Sequence, residues 1–450
     1  MKNSPSIAKS DSMRGPSFPS GEIASPPNPA ILRRREDKAI ADTDKTPQTP
    51  SSILDITTLN PESRADPHTP LKAFRETCPV FRDEMAKTWL LTRYPDVRET
   101  VNDQTYDRHP RNAEEGSISR RFAEDVDEED APQSSILFLD EPDHSRVRPP
   151  LARAFYARIN KMRDEIEGII DDIIDAAPES GRFDLMDKLA VPIPIMVIAR
   201  ILGVDDERTP EFREWSEAVI LSLNPFRTPE ESARMEAGAE KLNAYFTELM
   251  DARRTIPGDD LITDMVQLQA SGEAELSDDE VRINLQALLV GGNLTTTDLI
   301  GNGVWLFLTH PEQLAKLKAD PGLASQAVEE VLRYEAPVQI TSRIVSEDRE
   351  VAGCPMKKSA PVLCSLASAN RDADIYDEPE MFDISAKRPS HVAFGGGAHI
   401  CIGAPLARIE ARHVYLKLIE KYPDMKLPEQ DLNWRNLPFF RGLETLEVEV

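Results

Sequence analysis

Phe394-Gly395-Gly396-Gly397-Ala398-His399-Ile400-Cys401-Ile402-Gly403-Ala404-Pro405-Leu406-Ala407-Arg408 places one of only four cysteines in 450 residues inside a run of glycines. Glycine holds φ > 0 without strain and lets another group approach the backbone closely, so this loop is built to receive something. A phosphate cradle fails on detail. No Gly-Lys-Ser or Gly-Lys-Thr closes the stretch, and Ile400 stands where a dinucleotide fingerprint needs its third glycine.

A metal ligand is the better reading of Cys401. The loop feeds an amphipathic helix whose apolar positions are Ala404, Leu406, Ala407, Ile409, Val414, Leu416, Leu418 and Ile419. Loop amides and the positive end of the helix dipole favour the thiolate. With no other Cys or His at zinc-like spacing, a single thiolate cannot complete a zinc or iron–sulfur cage of about four ligands. It can serve as the axial ligand of a haem. Phe394, Gly395, Gly397, His399, Cys401 and Gly403 match, position for position, the cysteine loop Phe-Gly-x-Gly-x-His/Arg-x-Cys-x-Gly, and in this the chain resembles the cytochromes P-450.

Further segments resemble the same family, in its order, over nearly 400 residues. Glu330-Val331-Leu332-Arg333 resembles its Glu-x-x-Arg; taken alone, the spacing describes an ordinary solvated pair on one helix face. Pro337 to Arg343 resembles the strand whose terminal Arg meets a haem propionate, and Asp143 to Arg148 the start of the helix whose His and Arg do the same. Ser368 to Asp372 and Pro379 to Phe382 resemble the approach to the cysteine loop. The resemblance implies haem b, with Cys401 on the iron and with His144, Arg148, Arg343 and His399 at the propionates. Two buried carboxylates need such paired cations.

Ser277-Asp278-Asp279-Glu280 is a capping box that opens a helix predicted from about Asp278 to Leu308. Apolar residues surround this helix, as expected for one running through a core. Val290-Gly291-Gly292-Asn293-Leu294-Thr295-Thr296 within it resembles the family's oxygen-activation motif, with one departure: Leu294 occupies the place of an acid. Thr295 carries over as a catalytic residue. Proton delivery is open between Asp298, one turn beyond Leu294, Asn293, ordered water, and a different oxygen chemistry.

The fold expected from the resemblance is mainly α with a smaller β-rich region, a single haem domain over 53–450. Residues 1–52 read as a disordered extension, since eight of the 36 prolines fall in the first 50 residues among Ser, Asn and Lys. No stretch approaches the length of a membrane helix, no secretory core opens the chain, and four cysteines without a disulfide framework suit a cytoplasmic protein. The net charge of −26, from 53 Lys and Arg against 79 Asp and Glu, opposes nucleic-acid binding. Locally, Arg146, Arg148, Arg153 and Arg158 and, after Cys401, Arg408, Arg412 and Lys417 make basic stretches where an acidic redox protein could dock.

The chain has no ferredoxin cysteine cluster and no flavin or nicotinamide fingerprint. Electrons are therefore expected from a partner, a ferredoxin with its reductase or a flavodoxin. The expected activity is insertion of one atom of O2 into an apolar small molecule. The alternatives are a peroxide-using, rearranging or coupling haem-thiolate enzyme and a non-catalytic haem-binding sensor. Ile118, Leu137, Phe138, Leu221, Leu223, Phe226, Leu288, Val338 and Ile340 are the expected apolar pocket.

Overall fold

The computed structural model describes residues 52–123 and 135–450; the segment read as an N-terminal extension lies outside them, apart from Ser52. The described chain opens on a short 3-10 turn, Ile53–Ile56, tied to the first hairpin where the Ser52 hydroxyl donates to Asp83 at 2.7 Å. That hairpin, Val80–Asp83 with Thr88–Leu91, forms one edge of a four-stranded sheet. Thr88–Leu91 runs parallel to Pro361–Ser365, which pairs antiparallel with Ile340–Ile344. Pro361–Ser365 is buried along its whole length, as a central strand covered on both faces should be.

Helices make up most of the remainder. The central helix, Asp278–Thr309, opens on the expected capping box: the Ser277 hydroxyl accepts from the Glu280 amide at 3.1 Å and the Glu280 carboxylate accepts from the Ser277 amide at 2.8 Å. It continues without a break through Gly291 and Gly292 and ends at His310, before Pro311. Buried residues lie all around its C-terminal half, so this stretch is core rather than a surface helix with one wet face. The cysteine helix, Ala404–Lys421, packs closely against it, because a side chain at Gly303 would collide with the Tyr415 hydroxyl, which donates to the Leu299 carbonyl at 2.6 Å.

Glu330 and Arg333 lie on the helix Ala324–Tyr334, but not on a wet face. Both side chains are at most 5% exposed and pair at 2.7 Å. Arg333 also donates to the carbonyls of Asn370, Pro379 and Met381, and Glu330 accepts from the Asp383 amide and Arg388. The pair thus fastens the meander that leads to the cysteine loop. A buried ion pair is tolerable only with its remaining donors and acceptors satisfied, and here the backbone of that meander satisfies them.

Candidate active site

The cysteine loop turns on two glycines with positive φ, Gly395 at 69° and Gly397 at 63°. A Cβ at Gly397 would stand 2.9 Å from the Asn102 Cα and the Val101 carbonyl oxygen, so only glycine fits against the end of the helix Tyr94–Asn102. The Gly397 amide donates to Asn102 Oδ1 at 2.8 Å, and the Cys401 amide closes the loop on the Phe394 carbonyl at 3.0 Å. Cys401 then precedes the first turn of the cysteine helix. Burial pushes its thiol pKa up; the amides of Gly403 and Ala404 and the cations Arg148 and Arg408 pull the other way. Among the described residues no group of three His, Cys, Asp or Glu side chains is arranged to hold a metal ion.

Cys401 faces a cavity of about 320 Å³, against about 10 and 90 Å³ for two other cavities. Its side chain is open to this internal space although protein surrounds it. Phe394, Gly395, His399, Cys401 and Gly403 line it from the loop, and Gly291, Gly292, Thr295 and Thr296 from the central helix. Of the expected apolar lining, Ile118, Leu137, Phe138, Leu223, Leu288, Val338 and Ile340 are present and Leu221 and Phe226 are not. Phe226 instead lies under the Arg121 guanidinium, 4.8 Å away. Phe122, Phe155, Ile198, Phe439 and Phe440 complete the wall. They come from distant segments, and no local pattern marks them as neighbours.

At one end of the cavity the chain gathers positive charge. Arg148 extends from the helix Asp143–Lys161 and donates to the Ile400 carbonyl. Arg343, 3% exposed, donates to the Val101 carbonyl at 2.9 Å. His144 and His399 stack with ring centroids 4.1 Å apart, and the buried His144 Nε2 has no hydrogen-bond partner. His399 is pushed down to about 2 by burial first, then by Arg108, His144, Arg343 and Arg148. Burial holds both rings neutral near pH 7; His144 Nδ1 lies 3.7 Å from Glu141, and its Nε2 is the ring nitrogen left without a partner among the described residues.

Arg108 belongs to this group and was not foreseen. Its side chain lines the same cavity and donates to the carbonyls of Leu137 and Ser342. Burial, with Arg343 beside it, pushes its pKa down to about 9. No motif in the sequence singles it out. Among the described residues Arg108, Arg148 and Arg343 have no carboxylate within ion-pair distance; their hydrogen bonds go to uncharged oxygens.

Thr295 reaches the cavity, its hydroxyl donating to the Gly291 carbonyl at 2.7 Å. Asp298 does not. It is fully buried away from the cavity, paired with Arg435 at 3.0 Å and packed against Gly442. Burial pushes its pKa up to about 6 against the pull of Arg435. The shared helix face of Leu294 and Asp298 is real, but both side chains are buried outside the cavity wall.

The basic stretches read as a docking face are largely neutralised within the chain. Arg146 pairs with Asp143 and Glu280, Arg158 is buried against Asp264 at 2.7 Å, Arg408 meets Glu329 at 2.6 Å, and Lys417 meets Asp175 at 3.4 Å. Counting arginines along a helix overlooked the acids that folding brings to them.

The sequence model of the family described as Cytochrome P450 matches residues 322–439. Cytochrome P450 107B1 of Saccharopolyspora erythraea is 36% identical over 415 residues, covering 89% of this chain and 99% of the relative. The 6-deoxyerythronolide B hydroxylase of the same organism is 33% identical, covering 84% and 94%. Among solved structures, ligand-free CYP164A2 of Mycobacterium smegmatis superposes with a TM-score of 0.79 at 32% identity, covering 88% of this chain and 99% of that one. CYP109E1 of Bacillus megaterium in complex with corticosterone gives 0.76 at 32%, covering 86% and 99%.

Proposed function

The chain belongs to the cytochrome P450 family of haem-b monooxygenases, and on that premise we propose that residues 53–450 are a haem domain inserting one oxygen atom of O2 into a bulky apolar molecule. The observation that carries the reading is the cavity itself: a lone thiol at one wall, a threonine on the central helix, and cations without carboxylates at one end. These residues fit a dianionic macrocycle. Cys401 would hold its iron, and His144, Arg148, Arg343 and His399 its two carboxylates, with Phe394, Gly395 and Gly403 shaping the loop around the thiolate.

Bound haem supplies the capacity to activate O2; the chain positions and protects. Apolar walls exclude bulk water and hold the substrate by burial rather than by charge. The Thr295 hydroxyl, on the cavity side of the helix, donates its own proton to the Gly291 carbonyl and offers its oxygen to hold a hydrogen-bond donor in the cavity. With Leu294 and Asp298 both outside the wall, ordered water held at Thr295 beside Gly291 and Gly292, rather than bulk water, is the proton source in this reading. A relative named as a 6-deoxyerythronolide B hydroxylase and solved structures with corticosterone and with hexadec-9Z-enoic acid on an acyl carrier protein support a bulky apolar substrate.

Electrons come from a ferredoxin with its reductase, or from a flavodoxin, since the chain carries no redox fingerprint of its own. The four free cysteines fit a reducing, cytoplasmic compartment. The missing acid favours a second reading, in which hydrogen peroxide supplies the oxygen, the electrons and the two protons that leave with the water formed, so that none need be delivered from solvent. The reduced protein should give a thiolate-type carbon monoxide spectrum that Cys401→Ser abolishes. Substrate-dependent NADPH use through a ferredoxin system, matched by oxygenated product, would establish the first reading; turnover with hydrogen peroxide alone would establish the second.

A further inference from the structure

An isolated antiparallel bridge joins Asp107 to Ile344, with the amide of each donating to the carbonyl of the other at 2.8 Å. In that register the next residue of one segment faces the preceding residue of the other, so Arg108 lies opposite Arg343. Like charges directly across a β pair repel, and among the described residues neither guanidinium has a carboxylate within ion-pair distance, Asp140 acting on Arg108 only from farther off.

The nearest acid is already occupied. Asp140 accepts from the amides of Arg108 and His109 and from the Asn112 side chain at 3.0 Å, so it holds the backbone that carries Arg108 and leaves the guanidinium free to face the cavity. Asp107 is engaged by Asn112 at 3.2 Å. The Arg108 guanidinium donates only to uncharged oxygens, those of Leu137, Ser342 and Thr341. An arrangement of two facing arginines without an anion is costly in a dry site; with a carboxylate between them it becomes a two-armed clamp.

We propose that Arg108 is a further positioning residue of this site, which together with Arg343 clamps one carboxylate, that of a haem propionate. The inference rests on the haem-binding reading above. A substrate carboxylate would have the same chemistry, but Arg108 stands with His399 and Arg343 at the cationic end rather than among the apolar walls.

The test uses the holoenzyme and three measurements: haem transfer to excess apomyoglobin, the iron midpoint potential, and spin-state titration with decanoate and methyl decanoate. Arg108→Gln should speed haem loss about 10-fold or more, the effect of losing one charge-assisted hydrogen bond, and make the potential more negative, since a cation near the haem favours the reduced state. Arg108→Lys, which keeps the charge, should restore the potential and slow the loss. Unchanged haem loss and potential in Arg108→Gln would overturn the inference. So would a variant that weakens decanoate but not its methyl ester while haem loss stays at the wild-type rate, since that assigns Arg108 to substrate. If Arg108→Gln accumulates without haem, the Lys variant decides: a wild-type potential supports the clamp, and a potential as low as that of Arg343→Gln overturns it. A wild type that shows no thiolate-type carbon monoxide spectrum would instead remove the haem reading itself.

Discussion

Asp298 and Arg435 form a 3.0 Å ion pair on the side of the central helix turned away from the cavity, where the Asp298 carboxylate fills the space left by Gly442. One oxygen of that carboxylate has no partner, which is why burial outweighs the nearby guanidinium and raises its pKa to about 6. A raised carboxyl pKa means that the folded state holds its proton longer than the unfolded chain. Stability contributed by this group therefore falls as pH rises from about 4 to about 6. Asp298→Asn should flatten that slope in chemical denaturation curves. It should leave product formed per NADPH unchanged, and a large solvent isotope effect of the substitution on turnover would return Asp298 to the proton path.

Thr295 is the hydroxyl that reaches the cavity. Thr295→Ala should keep the carbon monoxide spectrum and divert electrons into hydrogen peroxide. Product per NADPH should drop by about 10-fold, the scale of one well-placed hydrogen bond. Full coupling in the variant, measured by parallel assays of NADPH, peroxide and product, would shift the role to Thr296, its neighbour in the wall.

Arg333→Ala leaves the buried Glu330 with only Arg388 and the Asp383 amide as partners, and three backbone carbonyls before the cysteine loop lose their donor. With Arg388 still offsetting the charge, the expected cost is about 2–3 kcal/mol in urea unfolding, from the carbonyls left without a donor, together with poor haem incorporation because this segment leads into the cysteine loop. A loss below about 1 kcal/mol, the scale of an exposed pair, would contradict the burial seen here.

Arg412 has no ion pair among the described residues, unlike Arg146 and Arg408. Arg412→Glu should slow reduction by an acidic ferredoxin at low salt, with the difference shrinking as ionic strength rises. Arg146→Glu should act mainly on stability through the loss of its contacts with Asp143 and Glu280. Stopped-flow reduction rates of the two variants, set beside their unfolding midpoints, separate these effects.

The cysteine loop was legible in the sequence because its requirements are local: glycines for backbone that other residues cannot adopt, and a cysteine at the head of a helix. The same holds for the Ser277 capping box and for the spacing of Glu330 and Arg333, each set within one helical turn. Helical spacing also showed that Leu294 and Asp298 share a face, but a helix buried all round gives no sign of which face meets the cavity. That depends on where Arg435 and Gly442 pack, far along the chain. Arg108 shows the same limit more sharply: it opposes Arg343 only because a bridge joins Asp107 to Ile344. Sequence by itself determined the groups whose chemistry depends on neighbours a few residues away. Tertiary structure alone decided which distant charges meet, because Coulomb interactions and burial act through space and take no account of separation along the chain.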